Sequence, residues 1–403
     1  DVKFDSWKAT LDKIGNLLQE EFGRHQELAA SDKLAEYEKS YYAKIMNGEA
    51  SEVDLTASLE KLSQMLTKHY GKAPVIIIDE YDTPIQEGYS KDFYDEIIGF
   101  MRNFFSGAFK DNRNLTYGFL TGILRIAQES IFSGLNNLTV NSVMDDEYDQ
   151  FFGFTSSEVR DMLEYYGYLD KESELKDWYD GYLLSNQHIY NPKAVVSVMT
   201  RKNFRSYWSQ TGSYEAVVPL INMDFDGLKS AIIEMISGAY VDVDVTTFQN
   251  DTVSFSDRDD VITYLIHLGY LAYDSQKRCA FIPNEEIRQE LLAATKRVKW
   301  NDLFAFEKES ANLLNATLDM DETAVAEYLE KIHTQYISSV QYNDENSLSS
   351  VLALAYLSTM QYYFKPIREL PTGRGFADFV FIPKPEYVEY YPALLIELKW
   401  NKN

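Results

Sequence analysis

The sequence predicts an α/β fold, and three observations carry the prediction. Two short apolar runs, 75–78 and 115–120, alternate with helix-patterned stretches. Helical periodicity dominates from about residue 155. Three strand-like runs then follow one another near the end of the chain. Strand, helix, strand, helix is the order of a parallel sheet with crossover helices. At roughly 100–200 residues per domain, 403 residues suggest two or three domains.

The elements are justified in order. Residues 1–70 are acidic and helical: Trp7, Leu11, Ile14, Leu17 and Leu18 recur at helical spacing, and Leu55, Leu59, Leu62 and Leu66 repeat it before Gly71. The charges between them read as a solvated face. After Pro74, the β-branched run Val75-Ile76-Ile77-Ile78 suits a strand buried on both faces of a parallel sheet. It ends in Asp79-Glu80-Tyr81-Asp82, and Thr83-Pro84 lead into a helix carrying Ile97, Ile98, Met101 and Phe105. Leu115 to Leu120 is a second strand, ending at Thr121-Gly122, with a helix expected from Ile123. Ser156 or Ser157 is the expected cap of a helix running to Tyr166. Trp178-Tyr179-Asp180-Gly181-Tyr182 and Ile189-Tyr190-Asn191-Pro192 are turn-rich and aromatic. Helical patterns dominate 215–335, with an apolar helix and turn over Tyr264 to Leu271. Ser347 to Tyr362 reads as a helix, Phe364 to Leu370 as a strand and Pro371-Thr372-Gly373 as a turn. Phe376 to Ile382 alternates as a strand carrying Asp378, and Ala393 to Lys399 is a third strand.

Composition narrows the classes. Hydrophobic residues are 45% and charged residues 25%, a globular mixture. No run of ~18 apolar residues exists, so a spanning helix and a membrane partner are not expected. The single Cys279 excludes an intrachain disulfide framework and a Cys-rich zinc site and suits a reducing cytoplasm. His25, His69, His188, His267 and His333 show no ligand spacing. The net charge of −25 disfavours loose association with nucleic acid. Residues 361–403, however, hold six basic against five acidic side chains, which confines the acidity to the rest of the chain.

Two constellations carry chemistry. Four apolar residues followed by Asp79-Glu80 place a Mg²⁺-holding acid and a water-orienting acid where ligands bind in open α/β sheets. Thr121 ends the second strand, where a polar residue can sense a terminal phosphate, and Arg125 lies one helical turn beyond, able to donate bidentately. The plain alternatives are a strand that ends in polar residues and an ordinary surface arginine. No Gly-x-x-x-x-Gly-Lys-Ser/Thr loop occurs in the chain. The second constellation is Asp378, then Glu397-Leu398-Lys399. Period-two geometry puts Glu397 and Lys399 on one face. If the strands pair, two carboxylates can hold Mg²⁺ or Mn²⁺ and the lysine can position a water, an arrangement for phosphodiester hydrolysis. Leu394, Leu395, Ile396 and Leu398 suggest that this strand is buried. Glu345 is a further carboxylate candidate, or a helix-start acid favoured by the dipole.

In this order the constellations resemble a bacterial family that joins an AAA-like P-loop ATPase domain to a C-terminal PD-(D/E)XK nuclease-like domain. The matching stretches are 75–84, 120–125, 130–137, 178–182, 190–192, 282–288 and 373–378 with 397–399. The resemblance implies a P-loop-type parallel-sheet domain over 1–155, a helical lid or winged-helix-like region over 156–300 and a restriction-endonuclease-like α/β domain over 301–403. It assigns Asp79 and Glu80 as Walker B acids, with Asp79 on the metal. Thr121 becomes the sensor residue and Arg125 a sensor arginine. Asp378, Glu397 and Lys399 become the nuclease core, with Asp378 and Glu397 on the metal and Glu345 the helix acid. It implies ATP and Mg²⁺ (or Mn²⁺) as cofactors, DNA as a partner and a phosphate loop upstream of Asp1. It also implies a further strand and helix after 399, and it leaves a homo-oligomer open. The expected activity is ATP-dependent or ATP-regulated, metal-dependent DNA cleavage. The alternative is a nucleotide-operated switch whose nuclease-like domain only binds DNA or protein. A third reading has the middle region bind protein through exposed Trp178, Tyr179 and Tyr182; large aromatics more often fill cores.

Overall fold

The computed structural model describes residues 5–123, 131, 135, 138–145, 147–184, 187–208, 214–223, 225–246, 248, 255–297, 301–336, 352, 355–364, 366–371 and 376–397. The chain divides into two compact units, one of 1–140 with 248–255, the other of 141–247 with 256–403.

The first unit opens with helices α1 (Trp7–Gly23), α2 (Glu36–Met46) and α3 (Glu52–Tyr70). Ser51 caps α3 by accepting from the Asp54 amide, and Asp54 accepts back from the Ser51 amide, so two otherwise unpaired helix-start donors are satisfied. Gly71 ends α3 in the left-handed conformation that glycine adopts at little cost. Ile14, Leu18, Leu55, Leu62 and Leu66 are buried, as the helical spacing predicts, whereas Leu17 is exposed; Phe22 and Met65 join this core. Strand β1 (Val75–Ile78) follows, then α4 (Thr83–Ser90), α5 (Tyr94–Phe109) and β2 (Tyr117–Leu120). The strands pair in parallel, Val75 with Tyr117 through Ile78 with Leu120. This is the predicted strand, helix, strand order. Apolar α5 buries Ile97, Ile98, Phe100, Met101, Phe104, Phe105 and Ala108. The sheet departs from expectation in one respect. β1 is not buried on both faces, because Val75 is 48% and Ile77 71% exposed, as are Tyr117 and Phe119 beside them at 65% and 54%.

The second unit contains β3 (Phe154–Thr155), α6 (Ser156–Tyr165), α7 (Glu172–Tyr179), β4 (Tyr182–Leu184), β5 (Gln187–Tyr190), α8 (Pro192–Arg201), α9 (Tyr214–Ile221), α10 (Leu228–Ile236), β6 (Val241–Asp242), α11 (Arg258–His267), β7 (Ala272–Asp274), β8 (Cys279–Phe281) and α12 (Glu285–Arg297). It continues through α13 (Asn301–Leu318), α14 (Glu322–Tyr336), β9 (Ile367–Pro371), β10 (Phe376–Phe381) and β11 (Leu394–Ile396). Three antiparallel three-stranded sheets form, in the orders β3-β5-β4, β6-β8-β7 and β11-β10-β9. The cap of α6 is Thr155 rather than Ser156 or Ser157: Thr155 accepts from the Glu158 amide while Glu158 accepts from the Thr155 amide at 2.8 Å. Asn191 caps α8, with Pro192 at its first position, where the missing N–H costs nothing.

Leu163, Leu175, Tyr179, Val195, Val198 and Tyr207 form one buried cluster, with Trp178 and Phe204 packed against it. The middle aromatics are therefore mainly structural. The Tyr179 hydroxyl donates to the Arg205 carbonyl at 2.9 Å and the Tyr182 hydroxyl to the Gly269 carbonyl at 3.0 Å. Cys279 is a small buried hydrophobe, and burial pushes its thiol up to about 11. Ser347 to 351 of the predicted helix lie outside the described residues, and Leu357–Gln361 form a 3₁₀ turn. Among the described residues no helix is long and apolar enough to cross a membrane.

Candidate functional site

The strand-end site forms because β1 and β2 stop together. Thr121 donates its amide to the Ile78 carbonyl at 2.9 Å, and Tyr81 donates its own to the Thr121 carbonyl at 3.0 Å. The two carboxyl ends thus meet as one edge. Across it the Thr121 hydroxyl donates to Asp79 Oδ1, which also accepts the Glu80 amide at 3.0 Å. Asp79, Glu80 and Thr121 are all solvent-exposed, as groups that meet a ligand must be. Glu80 has φ +53°, a left-handed conformation that few non-glycine residues adopt. Such departures cluster at functional sites.

Sequence reading gave no role to Asp82, which holds this edge together. It is 1% exposed, and its Oδ2 accepts from the Ile123 amide at 3.0 Å and from Gln86 at 2.9 Å. Its carbonyl accepts the Ile85 and Gln86 amides at 3.0 Å, starting α4. Gly122 is needed beside it: a Cβ there would stand 2.6 Å from Asp82 Oδ1 and 2.9 Å from the Tyr81 ring. The only sequence signal was Asp82's place at the head of a Thr-Pro helix start.

In the C-terminal sheet Phe379 pairs with Ile396, and Val380 with Leu395, across antiparallel β10 and β11. The pairing ends there; continued one position further, the register would set Asp378 across from Glu397, which follows the end of β11. Directly opposed residues share a face of the sheet. β11 is not buried as its composition suggests, since Leu395 is 59% exposed. Glu397 is exposed and Asp378 half-buried. Arg125, Glu345 and Lys399 lie outside the described residues. Among the described residues no three His, Cys, Asp or Glu side chains cluster as a metal site.

A third convergence joins two of the motif stretches. The Asn284 side chain donates to the Asp180 carbonyl at 2.9 Å and accepts the Ile287 amide at 3.0 Å, starting α12. The Glu286 carboxylate accepts the Tyr207 and Trp208 amides at 2.5 and 2.9 Å, and burial raises its pKa.

Comparison with known proteins bears on the first unit. Residues 6–132 match the family described as predicted AAA-ATPase, which spans β1, β2 and the strand-end acids. The chain is 25% identical over 279 residues to a protein from Azotobacter chroococcum mcd 1 described as an uncharacterized protein in the vnfD 5′ region. The matched segment is 68% of this chain and 52% of that relative, so the chain spans about half its relative's length. No solved structure matches. The amino-terminal unit is thus similar to AAA-ATPase-like proteins, and that similarity points to a nucleotide-related function.

Proposed function

We infer that the protein hydrolyses ATP at the edge formed by Asp79, Glu80 and Thr121. One observation carries this: an acid and a hydroxyl, from the ends of two adjacent parallel strands, touch each other at the position where α/β sheets receive ligands. In this reading Asp79 would hold the nucleotide's Mg²⁺, which would supply positive charge against that developing on the phosphate. A site that relies on substrate phosphates needs only one or two protein carboxylates. Glu80 orients the attacking water, Thr121 reports the terminal phosphate, and Arg125 is assigned to that phosphate as well. Steady-state hydrolysis and nucleotide binding by the full-length gene product test it. Glu80→Gln is expected to slow hydrolysis by about 100-fold or more while leaving Mg·ATP affinity within a few-fold. An unchanged rate contradicts it.

Continued one position past its last pair, Phe379 with Ile396, the β10–β11 register would set Asp378 across from Glu397, which favours a second activity, metal-dependent phosphodiester hydrolysis on DNA. Asp378 and Glu397 would hold Mg²⁺ or Mn²⁺, which would supply the activated water, and Lys399 and Glu345 would complete the core. The nearly balanced charge of 361–403 suits contact with a polyanion better than the rest of the chain does. The domain limits 1–155, 156–300 and 301–403, coupling of cleavage to ATP and a cytoplasmic location belong to the same reading. The switch reading, in which the C-terminal region binds without cutting, is its direct competitor.

A further inference from the structure

A basic patch lies in the second unit, and neither proposed hydrolytic centre uses it. The chain holds 63 acidic side chains in 403 residues, yet none between Asp180 and Glu215. That stretch contains Lys193, Arg201, Lys202 and Arg205. The last three gather at the end of α8. The Arg201 and Arg205 guanidiniums lie 5.6 Å and 5.2 Å from the centre of the same ring, that of Tyr207. The Lys202 ammonium lies 5.6 Å from the centre of the Tyr168 ring. One aromatic layer joins the two places: Tyr168 stacks on Phe204, Phe204 on Tyr179, and Tyr179 packs against Tyr207. Its footing is fixed, because Tyr207 is 1% exposed, its amide donates to Glu286 and its hydroxyl donates to the Asn203 carbonyl at 2.6 Å.

The charge of this patch is not neutralised. Among the described residues no carboxylate forms an ion pair with Arg201, Lys202 or Arg205, whereas Arg160, Lys171 and Arg288 of the same unit pair with Glu172, Glu174 and Glu285. Glu286 and Glu290 reach this stretch but accept from the Tyr207 and Trp208 amides and the Ser206 hydroxyl instead. Attraction to the rings holds the cations without cancelling their charge. All three are exposed, so each keeps donors toward solvent. A helix C-terminus attracts cations through its dipole, but that effect fades beyond the last turn and does not account for Arg205, four residues past Arg201. Lys202 has φ +50°, a left-handed conformation usually left to glycine, so a lysine stands there against a conformational cost. Exposed rings adjoin the patch: Tyr165 is 84% and Tyr166 46% exposed, at the end of α6, three and two residues before Tyr168.

We propose that this surface binds an unpaired DNA strand, with Arg201, Lys202 and Arg205 on its phosphates and Tyr165 and Tyr166 stacked on its bases. Cations that track the backbone beside rings that accept any base are the chemistry of single-strand binding. The choice of DNA rests on the second activity proposed above; the site does not. The test is fluorescence anisotropy of the full chain with a labelled dT oligonucleotide and with a duplex of equal length, in chelator, so that neither metal nor cleavage enters. The dT strand is expected to bind with a Kd of about 10 µM or tighter at low salt, and its log affinity to fall with log salt at a slope of about −2, roughly 0.7 for each of three cations. Replacing all three (Arg201→Gln, Lys202→Gln and Arg205→Gln) is expected to lose about 10-fold or more in affinity and most of that slope. Tyr165→Ser removes only an exposed ring and keeps the test independent of how the triple variant folds. It is expected to weaken dT about 5-fold or more and to leave duplex affinity unchanged. Wild-type affinity in the triple variant or in Tyr165→Ser, no binding of dT, or a duplex bound as tightly as dT overturns the proposal. Binding of dT with these losses, in a protein that cleaves no DNA, upholds it and contradicts the nuclease reading alone.

Discussion

Gly181→Ala is expected to lower the stability of the second unit by on the order of 3 kcal/mol or more. Two penalties add. Gly181 has φ +101°, where a Cβ costs about 1–2 kcal/mol. That Cβ would also stand 2.0 Å from the Pro283 carbonyl oxygen and 2.7 Å from its carbon. Both are backbone atoms and cannot turn away, so overpacking adds about 1–3 kcal/mol. The clash also pushes apart the two stretches that Asn284 ties together. Gly167 is the control: its φ is +64° and nothing lies within 4 Å, so alanine there meets only the conformational penalty. Urea midpoints of the two variants separate the terms. Equal midpoints would mean that the close approach at Pro283 contributes nothing.

Glu397→Ala or Asp378→Ala, each made in the full-length protein, is expected to reduce Mg²⁺- or Mn²⁺-dependent DNA cleavage by more than about 10³-fold. Each change removes one of the two carboxylates proposed to hold the metal, and metal-assisted hydrolysis would lose both the ion and the water it activates. Glu397 is exposed, so its loss leaves the fold intact. Cleavage is read on linear and supercoiled DNA. Full activity in Glu397→Ala contradicts the nuclease reading. Metal-independent DNA binding without cleavage in the wild type would favour the switch.

Legibility in the sequence followed the range of the interaction. Helix faces, the Gly71 stop and the strand ends at Asp79 and Thr121 are readable because their causes lie within a few residues. The exposure of Val75, Ile77 and Leu395 was not. Apolar character reports what a residue prefers, not whether a neighbour exists to cover it. The α6 cap was misplaced by one residue because Thr155, Ser156 and Ser157 are all competent caps. Only the extended backbone of Thr155, with φ −74° and ψ 161°, decides among them. Asp82 was missed because its partner is the Ile123 amide, 41 residues away. The Asp180–Asn284 tie spans 104 residues, and no local pattern reports it. The pairing of β10 with β11 depends on contacts between stretches that no local pattern links.

The central claim is that the β1–β2 edge holds a nucleotide's metal. Its most direct test is Mg²⁺-dependent ATP affinity in the full-length protein with and without Asp79. The account predicts that Asp79→Ala weakens Mg·ATP by at least about 10-fold and leaves metal-free ATP binding unchanged, since removing a carboxylate ligand costs about 1.4 kcal/mol or more. Mg·ATP affinity equal to wild type in Asp79→Ala would contradict it.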